Sequence, residues 1–62
     1  KKHIVGETPE EKKIITLLMK ETLLFDDLVR RTGIAPSAVA ITLSFMEMKG
    51  YILNIDGMYS LA

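Results

Sequence analysis

The pattern of apolar and polar positions begins with an amphipathic helix. Thr8 is typical of a helix N-cap, Pro9 suits the first helical position, and Glu11 completes a capping box. We therefore predict a first helix from about Pro9 to Met19 or Lys20. Apolar residues recur at i, i+3 and i+4, which places on one face Ile14, Leu17 and Leu18, with Ile15 at its border.

A second, shorter helix follows a brief extended segment. Residues 22–25 are apolar but too few for a helix, and the helix after them is predicted to be capped near Asp26. Acidic residues lie at its positive end and arginines at its negative end, as the helix dipole favours. Gly33 can take the left-handed conformation that ends a helix, and Ile34 supplies the accompanying hydrophobic contact. The predicted apolar face comprises Phe25, Leu28, Val29 and Thr32.

The third helix is predicted to run from Pro36 to about Lys49 and to be closed by Gly50. It has two stripes on opposite sides, at about 100° per residue. The stripe expected to face the core comprises Val39, Leu43 and Met46. The opposite stripe comprises Ser37, Ile41, Ser44 and Met48, with Phe45 beside them.

β-forming residues replace the helical pattern over residues 51–61, and Asp56-Gly57 within them is a hairpin signal. A two-residue turn would pair Ile55 with Met58. A three-residue turn would pair Asn54 with Met58. Neither register gives one clean polar face, so both remain open.

The order of these elements predicts a winged helix-turn-helix. Three helices with one short strand precede a two-stranded wing, and the turn at Gly33 joins the second helix to the third. The fold class is mainly α with a small β hairpin. The winged-helix domain is predicted over residues 8–62, and residues 1–7, which include His3, are expected to be a linker or a frayed terminus.

Composition limits the chain to one small domain without the usual chemistry of an enzyme. The 62 residues have a formal net charge of +0, no cysteine and one histidine, which excludes disulfides and Cys/His zinc sites. The carboxylates lie mostly at caps, turns and outer faces, and the serines have no histidine partner. We therefore predict no catalytic residue, metal or cofactor. No apolar run approaches the ~20 residues that span a bilayer, so we expect no membrane contact. The absence of cysteine fits a reducing setting, and we expect a cytoplasmic location.

Several segments carry a family resemblance. Residues 26–34, DDLVRRTGI, are similar to the D-E-L-x-x-x-T-G-L segment of many winged helices. Residues 43–52, LSFMEMKGYI, resemble the L-x-x-L-E-L-K-G-L-V stretch of the C-terminal winged-helix domain of the DprA/Smf family of DNA-processing proteins. Residues 14–21 match that family's I-L-x-L-L-x-x-E opening, and Gly57 with Tyr59 resembles its wing.

The resemblance implies an accessory module at the end of a longer DNA-processing protein. In that family a preceding Rossmann-like domain binds single-stranded DNA, self-associates and helps load the RecA recombinase, which implies a link to DNA recombination, competence and natural transformation. Those activities belong mainly to the Rossmann-like domain. No residue of this chain matches the single-strand-binding motif of that domain.

A helix-turn-helix makes DNA contact by the third helix the default hypothesis. The outer face of that helix has no Arg, Asn or Gln for a bidentate base contact, which disfavours sequence-specific recognition. The alternative for the nearby cations is a solvated surface near helix C-termini. The candidates for weak, non-specific DNA contact are Ser37, Ser44, Lys49, Arg30 and Arg31.

The apolar outer stripe of the third helix has two open interpretations. It is either covered by the wing and the first helix, or exposed as a surface for a partner. Candidate partners are the parent Rossmann-like domain, another protein bound through the third helix, and a second copy in a homodimer. The partner-surface candidates are Ile41, Phe45, Met48 and Tyr59.

Three function hypotheses follow. The first is an accessory module of a DNA-processing or recombination-mediator protein, which contacts DNA weakly or docks a partner. The second is a protein-interaction or dimerisation module without DNA binding. The third, disfavoured by the composition of the third helix, is the DNA-reading domain of a transcription regulator.

Overall fold

Three helices and three short strands make up the computed structural model, which describes residues 6–62. The helices are α1 (Pro9–Leu18), α2 (Phe25–Thr32) and α3 (Pro36–Met48). The strands are β1 (Leu23–Leu24), β2 (Ile52–Ile55) and β3 (Met58–Leu61). The order along the chain is α1, β1, α2, α3, β2, β3, as predicted.

The start of α1 is fixed by side-chain hydrogen bonds to backbone amides. The Thr8 hydroxyl accepts a hydrogen bond from the Glu11 N–H at 3.1 Å, which is the predicted cap. The Glu11 carboxylate accepts the Glu7 N–H at 2.9 Å, one residue ahead of the position that a capping box would use. Glu11 thereby ties the approaching chain to the first turn of α1.

The described part of the predicted linker also packs against α1. Gly6 is buried, and a Cβ added to it would lie 2.8 Å from the backbone nitrogen of Lys12, closer than the two atoms can approach. The chain therefore needs glycine where it passes α1. Residues 1–5, including His3, lie outside the described residues.

Helix α2 begins earlier than predicted. Its N-cap is Leu24, which is extended and makes no side-chain cap hydrogen bond, so the predicted cap near Asp26 is two residues too late. Leu24 is the last residue of β1 and pairs with Met58 of β3. Strand pairing, rather than a polar cap, sets the extended conformation from which α2 starts.

The turn between α2 and α3 is built around Gly33. This glycine has a φ of +72°, the left-handed conformation predicted for it. The buried Thr32 hydroxyl donates to the Leu28 carbonyl at 2.6 Å and accepts from the Ile34 N–H at 3.2 Å. The Thr32 hydroxyl thus forms hydrogen bonds to backbone groups on both sides of Gly33, and α3 begins shortly after this turn.

The strands form one antiparallel sheet in the order β1-β3-β2. Ile55 pairs with Met58 across a two-residue turn, in which Asp56 has a φ of +53° and Gly57 a φ of +85°. Positive φ at both turn residues matches the right-handed twist of the strands. The open register is thereby resolved in favour of the two-residue turn.

The core lies between the three helices and one face of the sheet. The predicted core stripe of α3 is fully buried, and the arrangement is the predicted winged helix. Over residues 6–62, the helices are too short or too polar to cross a bilayer. The buried apolar residues are Ile14, Ile15, Leu18, Leu23, Leu28, Val39, Leu43, Met46 and Ile52.

Candidate functional site

The outer face of α3 is an exposed apolar surface. Ile41, Phe45 and Met48 recur at i, i+4 and i+7, and they keep 59%, 54% and 81% of their surface exposed. Neither the wing nor α1 covers them, so the interpretation that places them in the core is wrong. We call these three residues the α3 strip.

The polar side chains on the same face are small. Ser37 and Ser44 are both exposed, and Ser44 precedes Phe45 near the middle of the α3 strip. A serine hydroxyl can donate to a phosphate oxygen, but it cannot make the bidentate contacts by which Arg, Asn and Gln distinguish bases. The face therefore lacks the side chains of specific base recognition.

Lys49, just after α3, is held by two carboxylates from the other end of the described chain. Its Nζ lies 2.8 Å from Glu7 Oε1 and 3.0 Å from Glu11 Oε2. The same ammonium lies 5.5 Å from the centroid of the Tyr51 ring, within the range of a cation–π contact. Lys49 thus joins the segment before α1 to the C-terminal end of α3.

The two ionised forms in this contact stabilise each other. Only 5% of the Glu11 side chain is exposed, and burial alone would raise the pKa of its carboxyl. The Glu7 N–H and the Lys49 ammonium donate to that carboxylate, and together they hold the pKa of Glu11 below its ordinary value. Hydrogen bonds to Glu7 and Glu11 raise the pKa of Lys49 in turn.

The two arginines among the DNA-contact candidates are also paired. Arg30 forms an ion pair with Asp27, three residues before it in α2. Arg31 Nη1 lies 2.7 Å from Glu21 Oε2. Each of the three candidate cations, Lys49 included, therefore contacts a carboxylate of its own chain, although the exposed arginine pairs contribute little to stability.

Tyr59 differs from the other partner-surface candidates because it is less exposed. It is half-buried on β3, packs against the core, and its hydroxyl accepts a hydrogen bond from Asn54 Nδ2 at 3.3 Å. Burial and the nearby Glu47 carboxylate raise the pKa of the Tyr59 hydroxyl. This tyrosine is a packing residue of the hairpin in this structure.

A second exposed apolar surface, whose residues the sequence pattern did not assign to one face, lies on the outer side of the sheet. Leu24, Met58 and Ile55 are paired across the three strands in one row, and Leu53 lies on the same face two residues before Ile55. All four side chains are exposed. These residues can be assigned to one face only when the strand register is known, since successive side chains of a strand alternate between its two faces.

A groove of about 400 Å³ between α1 and the last turn of α2 was also missed. Two of its three cations, Lys12 and Lys13, come from α1, and the third is Arg31. The adjacent lysines of the first helix were the available signal. The groove is lined by Lys12, Lys13, Thr16, Leu17, Arg31 and Thr32.

Within residues 6–62, no group of three or more His, Cys, Asp or Glu side chains is placed to hold a metal ion. Glu7 and Glu11, the two carboxylates that share a partner, are both bound to the Lys49 ammonium. The features left for function are therefore the α3 strip, the outer sheet face and the cationic groove.

Comparison with known families identifies a match over most of the chain. A family model for the DprA winged helix domain matches residues 4–58 of the chain. The match confirms the resemblance carried by residues 26–34 and 43–52. No curated protein and no solved structure matches the chain.

Proposed function

The chain belongs to the family of DprA winged helix domains, and on that premise we propose that it is an accessory module of a DNA-processing protein that self-associates through the α3 strip. The winged helix is in general a non-catalytic fold, so we assign the module a binding role. The observation that carries this proposal is the exposure of Ile41, Phe45 and Met48 together on one helix face.

Charge favours a protein surface over DNA at this helix. A nucleic-acid module gains most of its affinity from cations that replace counterions on the phosphates. Here Lys49, Arg30 and Arg31 each contact a carboxylate of the same chain, at 2.8 Å for Lys49–Glu7 and 2.7 Å for Arg31–Glu21. A phosphate would have to compete with carboxylates that are already in place.

The α3 strip is suited to pairing with a second copy of itself. Ile41 and Met48 lie four residues before and three residues after Phe45, so a two-fold axis near Ser44 and Phe45 would place Ile41 of one copy against Met48 of the other. Such a contact is isologous, the commonest arrangement in homodimers. The small Ser44 side chain beside Phe45 does not block this contact, and a net charge of +0 gives the copies no overall repulsion.

The expected dimer is weak. Three partly exposed side chains on one helix bury less than the roughly 1,200 Å² of a standard stable interface, so dimerisation should depend on concentration. Phe45 is at the centre of the strip, where aromatic residues usually contribute most to binding. In a longer protein, a weak contact of this kind would gain strength from any other interface that brings two copies together.

The test is the oligomeric state of the chain by sedimentation velocity over a wide concentration series. The native chain should shift from monomer to dimer as its concentration rises, and Ile41→Asp should remain monomeric because a charge would be buried in the interface. Ile55→Asp is the matched control, since Ile55 is as exposed as Ile41, at 62% against 59%, but lies on the outer sheet face. Circular dichroism of each variant establishes that it is folded.

The outcomes separate the proposal from its alternatives. A native chain that stays monomeric at every concentration overturns self-association through α3. A dimer that survives Ile41→Asp but is lost in Ile55→Asp also overturns it and places the contact on the sheet.

A further inference from the structure

The groove between α1 and the last turn of α2 is lined by three cations, of which two have no carboxylate partner among residues 6–62. Lys12 and Lys13 line it from α1, and Arg31 lines it from α2. Within residues 6–62, neither lysine lies within ion-pair distance of a carboxylate, and of the three cations only Arg31 has such a partner, Glu21. We propose that this groove binds the phosphate backbone of duplex nucleic acid.

The available donors suit a phosphate. The Thr16 hydroxyl donates to the Lys12 carbonyl at 2.8 Å and the Thr32 hydroxyl donates to the Leu28 carbonyl at 2.6 Å, so neither hydroxyl proton is free for a ligand. The donors left are the two ammonium groups and the Arg31 N–H groups that do not contact Glu21. A ligand that satisfies them is an anion with several charged oxygens, which a phosphodiester backbone supplies at regular spacing.

The lining also distinguishes a duplex from a single strand. Proteins that hold single strands stack the bases on aromatic side chains, and none of the six lining residues is aromatic. A duplex presents phosphates at a higher linear charge density and keeps its bases stacked inside. The groove therefore fits a backbone contact that positions the module on a duplex without selecting a sequence.

The site is separate from the surface assigned to self-association. The α3 strip contributes none of the lining residues, and the groove contributes nothing to the strip. One molecule can therefore bind a duplex through α1 and α2 while α3 is engaged with a second copy. The two proposals can fail independently.

The experiment measures fluorescence anisotropy of a short, labelled, blunt duplex titrated with the chain over a series of salt concentrations. Binding should weaken as salt rises, because each cation that contacts a phosphate adds about 0.9 to the slope of log affinity against log salt. The double variant Lys12→Gln/Lys13→Gln should lose about 2 from that slope and bind about tenfold more weakly at low salt. Lys20→Gln is the matched control, because Lys20 is an exposed lysine just beyond α1 that does not line the groove.

A second variant tests the site in the opposite direction. Glu21→Gln removes the carboxylate that contacts Arg31 at 2.7 Å, so it should strengthen duplex binding several-fold by freeing the guanidinium. This gain would not follow from a general loss of folding. Ile41→Asp, which is expected to lose self-association, should keep the salt slope of the native chain.

Several results would overturn the proposal. These are the absence of duplex binding at low salt, an equal loss of affinity in Lys20→Gln and in the double variant, and no gain in Glu21→Gln. Tighter binding of a single strand than of the duplex would overturn the choice of ligand. Competition by polyglutamate as strong as that by unlabelled duplex would do the same, since the groove would then recognise negative charge in a protein.

Discussion

Glu11 shows how much one side chain can organise in a domain of this size. Its buried carboxylate accepts hydrogen bonds from the Glu7 N–H at 2.9 Å and from the Lys49 ammonium at 3.0 Å. Its own N–H donates to the Thr8 hydroxyl. The neighbouring Glu10 has the same charge and lies in the same first turn, but no hydrogen bond of its side chain is formed with the residues that the structure describes. Comparison of Glu11 with Glu10 therefore separates the effects of burial and hydrogen bonding from the effect of charge at the helix N-terminus.

We predict that Glu11→Ala lowers the free energy of unfolding by about 2 kcal/mol, because the partly buried Glu7 N–H loses its acceptor and Lys49 loses one of its two carboxylate partners. Glu10→Ala should cost only a few tenths of a kcal/mol, since it loses a favourable charge at a helix N-terminus and no buried contact. Urea unfolding followed by circular dichroism measures both. Equal losses in the two variants would show that Glu11 acts through the helix dipole alone.

The sequence contained the residues of this network but not their contacts. Thr8 and Glu11 could be assigned as a capping box because the motif is local. The contact of Lys49 with Glu7 joins residues 42 positions apart, and no periodicity encodes such a distance. For the same reason the three cations could be proposed as DNA contacts, while the carboxylates that pair with them became visible only in the folded chain.

At the scale of the elements, the predicted starts of α1 and α3 agree with the structure because each helix begins with a proline, and each helix ends one or two residues before its predicted end. The start of α2 was missed because β1 determines it, and the partner of β1 lies at the far end of the chain. The sequence pattern does not determine the hairpin register, because β2 and β3 carry apolar residues on both faces. With no alternation to decide it, the register is set by the turn, where Asp56 and Gly57 both accept positive φ.

The turn between α2 and α3 gives a prediction for an element boundary. Gly33 has a φ of +72°, and a Cβ added there would meet no atom within 4 Å. Gly33→Ala should therefore cost about 1 kcal/mol from backbone strain alone, without a steric clash. Gly33→Asn should cost less, because asparagine tolerates the left-handed region better than other side chains. Thermal or urea unfolding compares the three chains, and an alanine variant as stable as the native chain would contradict the strain argument.

At the scale of the whole molecule, the balance of charge has a structural meaning. Eight basic and eight acidic residues give a net charge of +0, but the charges are not evenly mixed in space. Cations at the ends of α2 and α3 are neutralised by carboxylates, whereas those of the groove beside α1 are largely not. The net charge alone predicts weak attraction to nucleic acid over the whole surface. In the folded chain, the cations that line the groove without a carboxylate partner among residues 6–62 lie on one side, beside α1.

The stability of the molecule should depend on pH through Glu11. Its pKa lies below the ordinary value of 4.5 in the folded chain, so its ionised form stabilises the fold above that value and the stabilisation is lost as the pH falls through the folded pKa. The raised pKa of Lys49 has the opposite sign, and its contribution is lost only in strong alkali. Glu11→Gln should be less stable than the native chain near neutral pH, and the difference should shrink towards about pH 3. Urea unfolding at the two pH values measures it, and a difference that stays constant would exclude the Glu11 carboxylate as the cause.

The position of β3 has a consequence for how the domain is made. β3 is the last strand in the chain, yet it lies between β1 and β2 and supplies the partner of both. As the polypeptide emerges from a ribosome, the helices can begin to pack through contacts between near neighbours, but β1 and β2 must wait for residues 58–61. The sheet can therefore close only after β3 has been made, and a chain that stops at the wing turn would leave β1 and β2 without a partner.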